Sequence, residues 1–91
     1  MKYYVYVLFS LKDRLLYVGS TKDLVQRLVR HKVGKVRATK LRRPIQLIHY
    51  EYFIDKNEAL AREKFLKSGF GRNELKKALK HTLKKLGYKK L

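Results

Sequence analysis

Glu63 is the side chain whose placement most needs a chemical reason. The chain has seven acidic residues. Six of them, Asp13, Asp23, Glu51, Asp55, Glu58 and Glu74, fit turns, helix caps or surface pairs. Glu63 falls inside an apolar stripe, with Ala59, Leu60 and Leu66 three or four residues away on the same helical face. A carboxylate turned toward a core is unfavourable unless it is paired or binds a metal. A hard oxygen ligand suits Mg²⁺, which often takes one or two carboxylates and fills its shell with water and phosphate oxygens. A half-buried ion pair with Arg27 or Lys67 explains the same position without a metal.

Arg27 and His31 are four residues apart and share a helix face. They flank one margin of a stripe formed by Leu24, Val25, Leu28 and Val29. An arginine there can grip a phosphate through two N–H groups, and a histidine can take or give a proton near neutral pH. A solvated basic edge is the plainer alternative. Tyr6 and Tyr17 lie on two neighbouring strands. With a four-residue loop between the strands, the two phenols sit opposite one another on one side of the sheet. By themselves they are an ordinary cross-strand aromatic pair.

Several other chemistries lack their residues. Ser68-Gly69-Phe70-Gly71-Arg72 does not have the spacing of a phosphate loop. His31, His49 and His81 are too isolated for a zinc site. Only Glu63 is well placed for a metal, so a two-metal carboxylate cluster has no basis. No Ser-His-Asp arrangement suggests itself.

The elements that must carry these residues follow from patterning. Tyr3 to Phe9 reads as a strand, and Leu15 to Val18 as its hairpin partner. Ser20 or Thr21 can cap a helix whose first turn carries Asp23 and which runs to about Val33, with Gly34 as its stop. Residues 35–43 are basic and poor in apolar side chains. Pro44 opens a third strand, Ile45 to Phe53. Asp55 and Glu58 have capping-box spacing and start a helix to about Ser68, broken by Gly69 and Gly71. A last helix, about Asn73 to Leu86, carries Leu75, Leu79, Leu83 and Leu86 on one face and lysines on the other. The order β-β-α-β-α-α implies an α+β fold, a small three-stranded, mostly antiparallel sheet flanked by helices.

Length and charge bound the function. Ninety-one residues suit one domain, taken as 1–91 with a core over about 2–80 and a basic C-terminal helix over about 73–86. Hydrophobic residues are 45% of the chain, as in a globular protein. No cysteine is present, which excludes disulfides and thiolate metal sites and makes a cytoplasmic location the default expectation. No apolar run approaches the ~18 residues of a membrane span. Lys and Arg number 24, for a net charge of +17. Such a field favours polyanions, nucleic acid foremost.

Tyr4-Val5-Tyr6 and Tyr17-Val18-Gly19, with Arg27, His31, Gly34 and Glu63 downstream, resemble the GIY-YIG nuclease family in its compact, single-domain branch. The resemblance covers about residues 2–80. Tyr4 stands where the family name has Gly, and Val replaces both Ile positions. The family hydrolyses DNA phosphodiesters with one divalent metal, Mg²⁺ or Mn²⁺, and no organic cofactor. The resemblance assigns Tyr6 as general base or as the group that positions the attacking water, Tyr17 as support for its hydrogen-bond network, Arg27 as phosphate stabiliser, His31 as an aid to proton transfer or the residue that holds Tyr6 in place, and Glu63 as metal ligand. Asn73 is a candidate for a polar residue that assists in some members. Lys35, Arg37, Lys40, Arg42, Arg43, Lys67 and Arg72 are the expected backbone grips, joined by the lysines of 76–90. No element suits base reading, so preference for a DNA shape, as in repair or recombination, is expected over preference for a sequence. Larger members carry targeting domains; here targeting falls to the basic surface or a protein partner. A non-catalytic nucleic-acid-binding module on the same fold, or a small RNA- or ribosome-associated protein, would account for the charge but not for Glu63.

Overall fold

The structure, a computed structural model, describes residues 1–90. Strand β1 (Tyr3–Ser10) lies between β2 (Leu16–Thr21) and β3 (Ile45–Phe53), and both pairings are antiparallel. Helix α1 (Leu24–Lys32) and a short 3-10 turn (Lys40–Arg42) separate β2 from β3. Helices α2 (Lys56–Lys67), α3 (Gly69–Ala78) and α4 (Lys80–Leu86) follow. This is the expected α+β architecture, with the last helix starting earlier and interrupted at Leu79.

Because β1 is central, both of its faces are covered, and Val5 to Ser10 are all buried. Its sequence therefore reads as a continuous apolar run instead of an alternation. Val5, Val7 and Phe9 point to one side. There they join Leu16 and Val18 and pack against Ala59 and Leu66 of α2, Leu75 of α3, Leu83 of α4 and Tyr88. Tyr6 and Leu8 point to the other side, where α1 lies.

Two local expectations are corrected. Helix α1 is capped by Asp23, whose Oδ1 accepts from the Gln26 N–H at 3.0 Å. Ser20 and Thr21 do not cap it, because they are still paired to Val5 and Tyr4 in the sheet. The buried face of α1 is also rotated from the expected stripe. Leu24, Arg27, Leu28 and His31 turn inward, while Val25 and Val29 are 75% and 49% exposed. The spacing of that inner set is i, i+3, i+4, i+7, as good a helical face as the apolar one.

Gly69 and Gly71 are not helix breakers. Ser68 caps α3, its Oγ accepting from the Gly71 N–H. Gly71 sits where α2 and α3 touch, and a Cβ there would collide with the Phe65 carbonyl oxygen. Gly69 has open space around it. Gly71→Ala should therefore destabilise by about 2–3 kcal/mol, as overpacking does. Gly69→Ala, at a helical position with room, should be neutral or stabilising by about 0.5 kcal/mol. Thermal melts followed by circular dichroism separate the two; equal melting temperatures would contradict the assigned helix contact.

Candidate active site

Tyr6 anchors the site. It is 1% exposed, and its ring lies over the backbone of Gly19, its direct partner in the sheet. A Cβ at position 19 would meet the Tyr6 Oη at 2.6 Å and Cζ at 2.7 Å. The glycine that ends the Tyr17-Val18-Gly19 motif is thus the floor that lets the phenol lie flat. Tyr17 pairs with Leu8, not with Tyr6, because the hairpin register is shifted by two residues from the expected one and brings Gly19 opposite Tyr6. The two phenols are consequently diagonal neighbours on one face, with ring centroids 6.4 Å apart.

His31 is the second anchor. Instead of lying at a helix margin, it is completely buried. Its ring stands edge-on to both Tyr6 and Tyr17, each centroid 5.5 Å away. Nε2 is 2.8 Å from the Tyr6 hydroxyl, and Nδ1 is 2.6 Å from the hydroxyl of Thr39, which is also completely buried. Burial, reinforced by the charge of Arg27, lowers the imidazole pKa to about 4, so His31 is neutral at pH 7. A neutral imidazole has one donor and one acceptor nitrogen. Among the described residues Thr39 makes no other side-chain hydrogen bond. If its proton goes to Nδ1, the ring proton lies on Nε2 and donates to the Tyr6 oxygen.

Thr39 was not singled out from the sequence. The available signal was that Thr39 alone among residues 37–43 has a side chain able both to donate and to accept. Ser10 ties the same segment down, donating to the Arg42 carbonyl at 2.7 Å.

Burial, then the neighbouring Tyr17, pushes the Tyr6 hydroxyl far above the ordinary tyrosine range; Arg27 pulls the other way without prevailing.

Glu63 belongs to the opposite face of the sheet. Its side chain is 19% exposed, Oε1 accepts from the Ser20 hydroxyl at 2.5 Å and Oε2 from the Lys67 ammonium at 2.8 Å. Burial alone would raise its carboxyl pKa; the bonds from Lys67 and Ser20, with the charges of Lys67 and Arg27, outweigh burial and hold it below the usual range. The ion pair read as one alternative for Glu63 is present, with Lys67 as partner. Ser20 shares a face with Val18, and Tyr17 with Gly19, so the two halves of the site lie on opposite sides of β2. They can meet because β2 is an edge strand. Arg27 acts on both halves, its charge reaching Tyr6, His31 and Glu63 alike. A cleft of about 370 Å³ opens at that edge. Lys22, Arg27 and Lys56 line it, against a single acid, Asp23, that is occupied as a cap.

Among the described residues, no three His, Asp or Glu side chains cluster as a metal cage. Glu63 is ionised, partly open and retains lone pairs beyond its two bonds, which fits a cation held by one carboxylate, water and substrate oxygens.

The expected backbone grips divide. Lys35, Arg37 and Lys40 are exposed. Arg42 is bound through two nitrogens to Asp13 and to the Leu16 carbonyl, so its fork secures the hairpin. Arg43 donates to the Lys40 and Lys32 carbonyls, and Lys67 to Glu63. Arg72 and Asn73 line a separate surface hollow with Phe70, away from the Arg27 cleft.

Residues 2–77 match the family model described as the GIY-YIG catalytic domain. A UPF0213 protein of Staphylococcus saprophyticus is 41% identical over 76 residues, covering 82% of this chain and 92% of that protein. One from Lactiplantibacillus plantarum is 42% identical over 86 residues, covering 91% and 84%. The solution NMR structure of a UPF0213 protein from Bacillus halodurans is 35% identical, covers 82% of each chain and superposes with a TM-score of 0.52. These matches span the strands, α1 and α2 that bear Tyr6, Tyr17, Arg27, His31 and Glu63. The chain belongs to the GIY-YIG family of nuclease domains, among its compact UPF0213 proteins.

Proposed function

We propose that the chain is an endonuclease that hydrolyses DNA phosphodiester bonds with one divalent cation, Mg²⁺ or Mn²⁺. It selects DNA by shape more than by sequence, in repair or recombination in the cytoplasm. One observation carries the reading above the others: a fully buried His31 joins the Thr39 hydroxyl to the Tyr6 hydroxyl, beside Arg27. Surfaces that only bind phosphate work through exposed lysines and arginines and have no use for a buried chain of proton donors.

In this mechanism Tyr6, as phenolate, takes the proton of the water that attacks phosphorus. The Nε2–H of His31 donates to the phenolate oxygen and, with the charge of Arg27, favours that form. Arg27 also faces the charge that grows on the phosphate oxygens in the transition state. Tyr17 walls the imidazole in place. Glu63 would hold the cation, kept ionised by Lys67 and oriented by Ser20. A cation bound there supplies Lewis-acid stabilisation of the phosphate and of the leaving oxygen.

The direct test offers labelled branched, nicked, duplex and single-stranded DNA with Mg²⁺ or Mn²⁺, and with chelator. Cutting should require metal and fall about 100-fold or more in Glu63→Gln and in Tyr6→Phe, which keeps the ring over Gly19. Binding without cutting of any DNA would leave the non-catalytic module as the better description. Because burial holds the Tyr6 hydroxyl up, phenolate is scarce at neutral pH, and the wild-type rate should climb as pH rises from 6 to 9. A flat profile would remove Tyr6 from the role of base.

Thr39 is a positioning residue in this scheme. Thr39→Val takes away the proton that fixes Nδ1 as acceptor, so the imidazole can move its own proton to Nδ1 and cease donating to Tyr6. ¹⁵N NMR should find the Nε2–H tautomer of His31 in the wild type and in Thr39→Ser but not in Thr39→Val. Turnover should drop about tenfold in Thr39→Val, with substrate affinity retained. An Nδ1–H tautomer in the wild type would reverse the assignment.

His31 also links stability to pH. Its folded-state value of about 4 lies below the ordinary 6.5, so between those values the unfolded chain binds a proton that the folded chain does not. Stability should be full above pH 6.5 and decline as pH falls toward 4, by up to about 3 kcal/mol. Urea midpoints across that window should slope less in His31→Gln than in the wild type; parallel slopes would show that another group is responsible.

A further inference from the structure

The tyrosine face of the sheet is only partly covered. Tyr4 pairs with Tyr52 and Tyr6 with Tyr50, so all four rings start from one side of β1 and β3. Helix α1 and the segment holding Thr39 close over Tyr6. Beyond them Tyr50 and Tyr52 remain 53% and 51% exposed, and Tyr4 bridges them with ring centroids 6.0 and 5.6 Å away. Val25, 75% exposed on the first turn of α1, forms a side wall. The hollow beside these rings measures about 470 Å³ and contains Lys2 and Lys22. Its one acid is Asp23, the α1 cap. Lys22 and Asp23 also line the Arg27 cleft, so the hollow and the cleft adjoin.

An apolar partner protein would find aromatic area here, but also two lysines in a molecule of net charge +17. A nucleotide strand matches both features: base faces stack on tyrosine rings while phosphates meet ammonium groups. Duplex DNA hides its base faces within the stack, so only unpaired nucleotides can use such a surface.

We propose that Tyr4, Tyr50 and Tyr52 form a stacking surface for unpaired bases flanking the cut site, with Lys2 and Lys22 holding the phosphates between. The favoured substrate is then DNA with a single-stranded segment next to the scissile bond. The proposal rests on the reading of the cleft as a DNA nuclease site.

The experiment measures binding in EDTA, where a metal-dependent enzyme cannot cut. The probes are a single-stranded oligonucleotide carrying 2-aminopurine and a blunt duplex of equal length. Wild-type protein should quench the 2-aminopurine on binding. The double variant Tyr50→Ala, Tyr52→Ala should lose about tenfold or more in affinity for the single strand and less than twofold for the duplex. Tyr50→Phe, Tyr52→Phe keeps both rings and should bind both probes as the wild type does, which separates stacking from hydroxyl contacts and from loss of fold. The proposal is overturned if the alanine variant keeps its single-strand affinity or loses both affinities equally. It is also overturned if sedimentation finds a wild-type dimer that the alanine variant cannot form, since the face is then a self-interface. Absence of cutting with metal, alongside the expected binding pattern, would fail the nuclease reading while leaving the stacking surface in place.

Discussion

The hydrogen bond between Tyr6 and His31 is the constraint around which the site is organised. It joins the central strand to α1 across a buried contact. A buried polar pair is tolerable only when every proton and lone pair is placed. The Tyr6 ring must lie flat, which excludes any side chain at Gly19. The free nitrogen of His31 needs a partner, which draws Thr39 and its basic segment onto the sheet. Arg42, by pairing with Asp13, then pins that segment to the hairpin. A residue set that looks catalytic is therefore also what holds the α1 face of this small domain together.

The edge position of β2 solves a second problem. A carboxylate on the α2 face and a phenol on the α1 face are separated by the thickness of a sheet. On the proposed reading both serve one phosphate, which requires a boundary where both faces are accessible, and an edge strand is such a boundary. Edge strands also invite pairing with other chains. Here Lys22, Arg27 and Lys56 crowd that border with like charge, which discourages a second protein strand and attracts a polyanion.

Much of this was legible in the sequence because it follows from local rules. The third strand, the Asp55 cap, the Gly34 stop and the leucine face of the last helices are set by neighbours a few residues apart. The hairpin register was not, because Asp13 and a left-handed Arg14 lengthen the connection, and a two-residue shift changes which side chains oppose while keeping them on the same face. The phase of α1 was misjudged because Val25 and Val29 weigh as core residues, whereas a doubly bonded His31 replaced them inside. Gly69-Phe70-Gly71 carries the composition of a break, yet Gly71 is there for a close helix contact that no window of sequence reveals. Thr39 and Ser20 were missed as site residues for a related reason. A hydroxyl acquires its role from what faces it, and their partners are 8 and 43 residues away.

The electrostatics of the free site oppose the chemistry assigned to it. Burial keeps Tyr6 protonated, and an arriving phosphate would bring negative charge that favours the protonated form still more. Something positive must arrive with, or already stand beside, the substrate. Arg27 is fixed there, but in the free protein it does not overcome burial. The remaining sources are a cation at Glu63 and the general field of the lysines. A second carboxylate near Glu63 would bind a cation more tightly but would also add negative charge near the phenol. One carboxylate in a chain of net charge +17 is thus the arrangement that raises least opposition to ionising Tyr6. On the proposed reading the scarcity of acids suits a tyrosine base, because a phenol near a phosphate can lose its proton only where positive charge prevails.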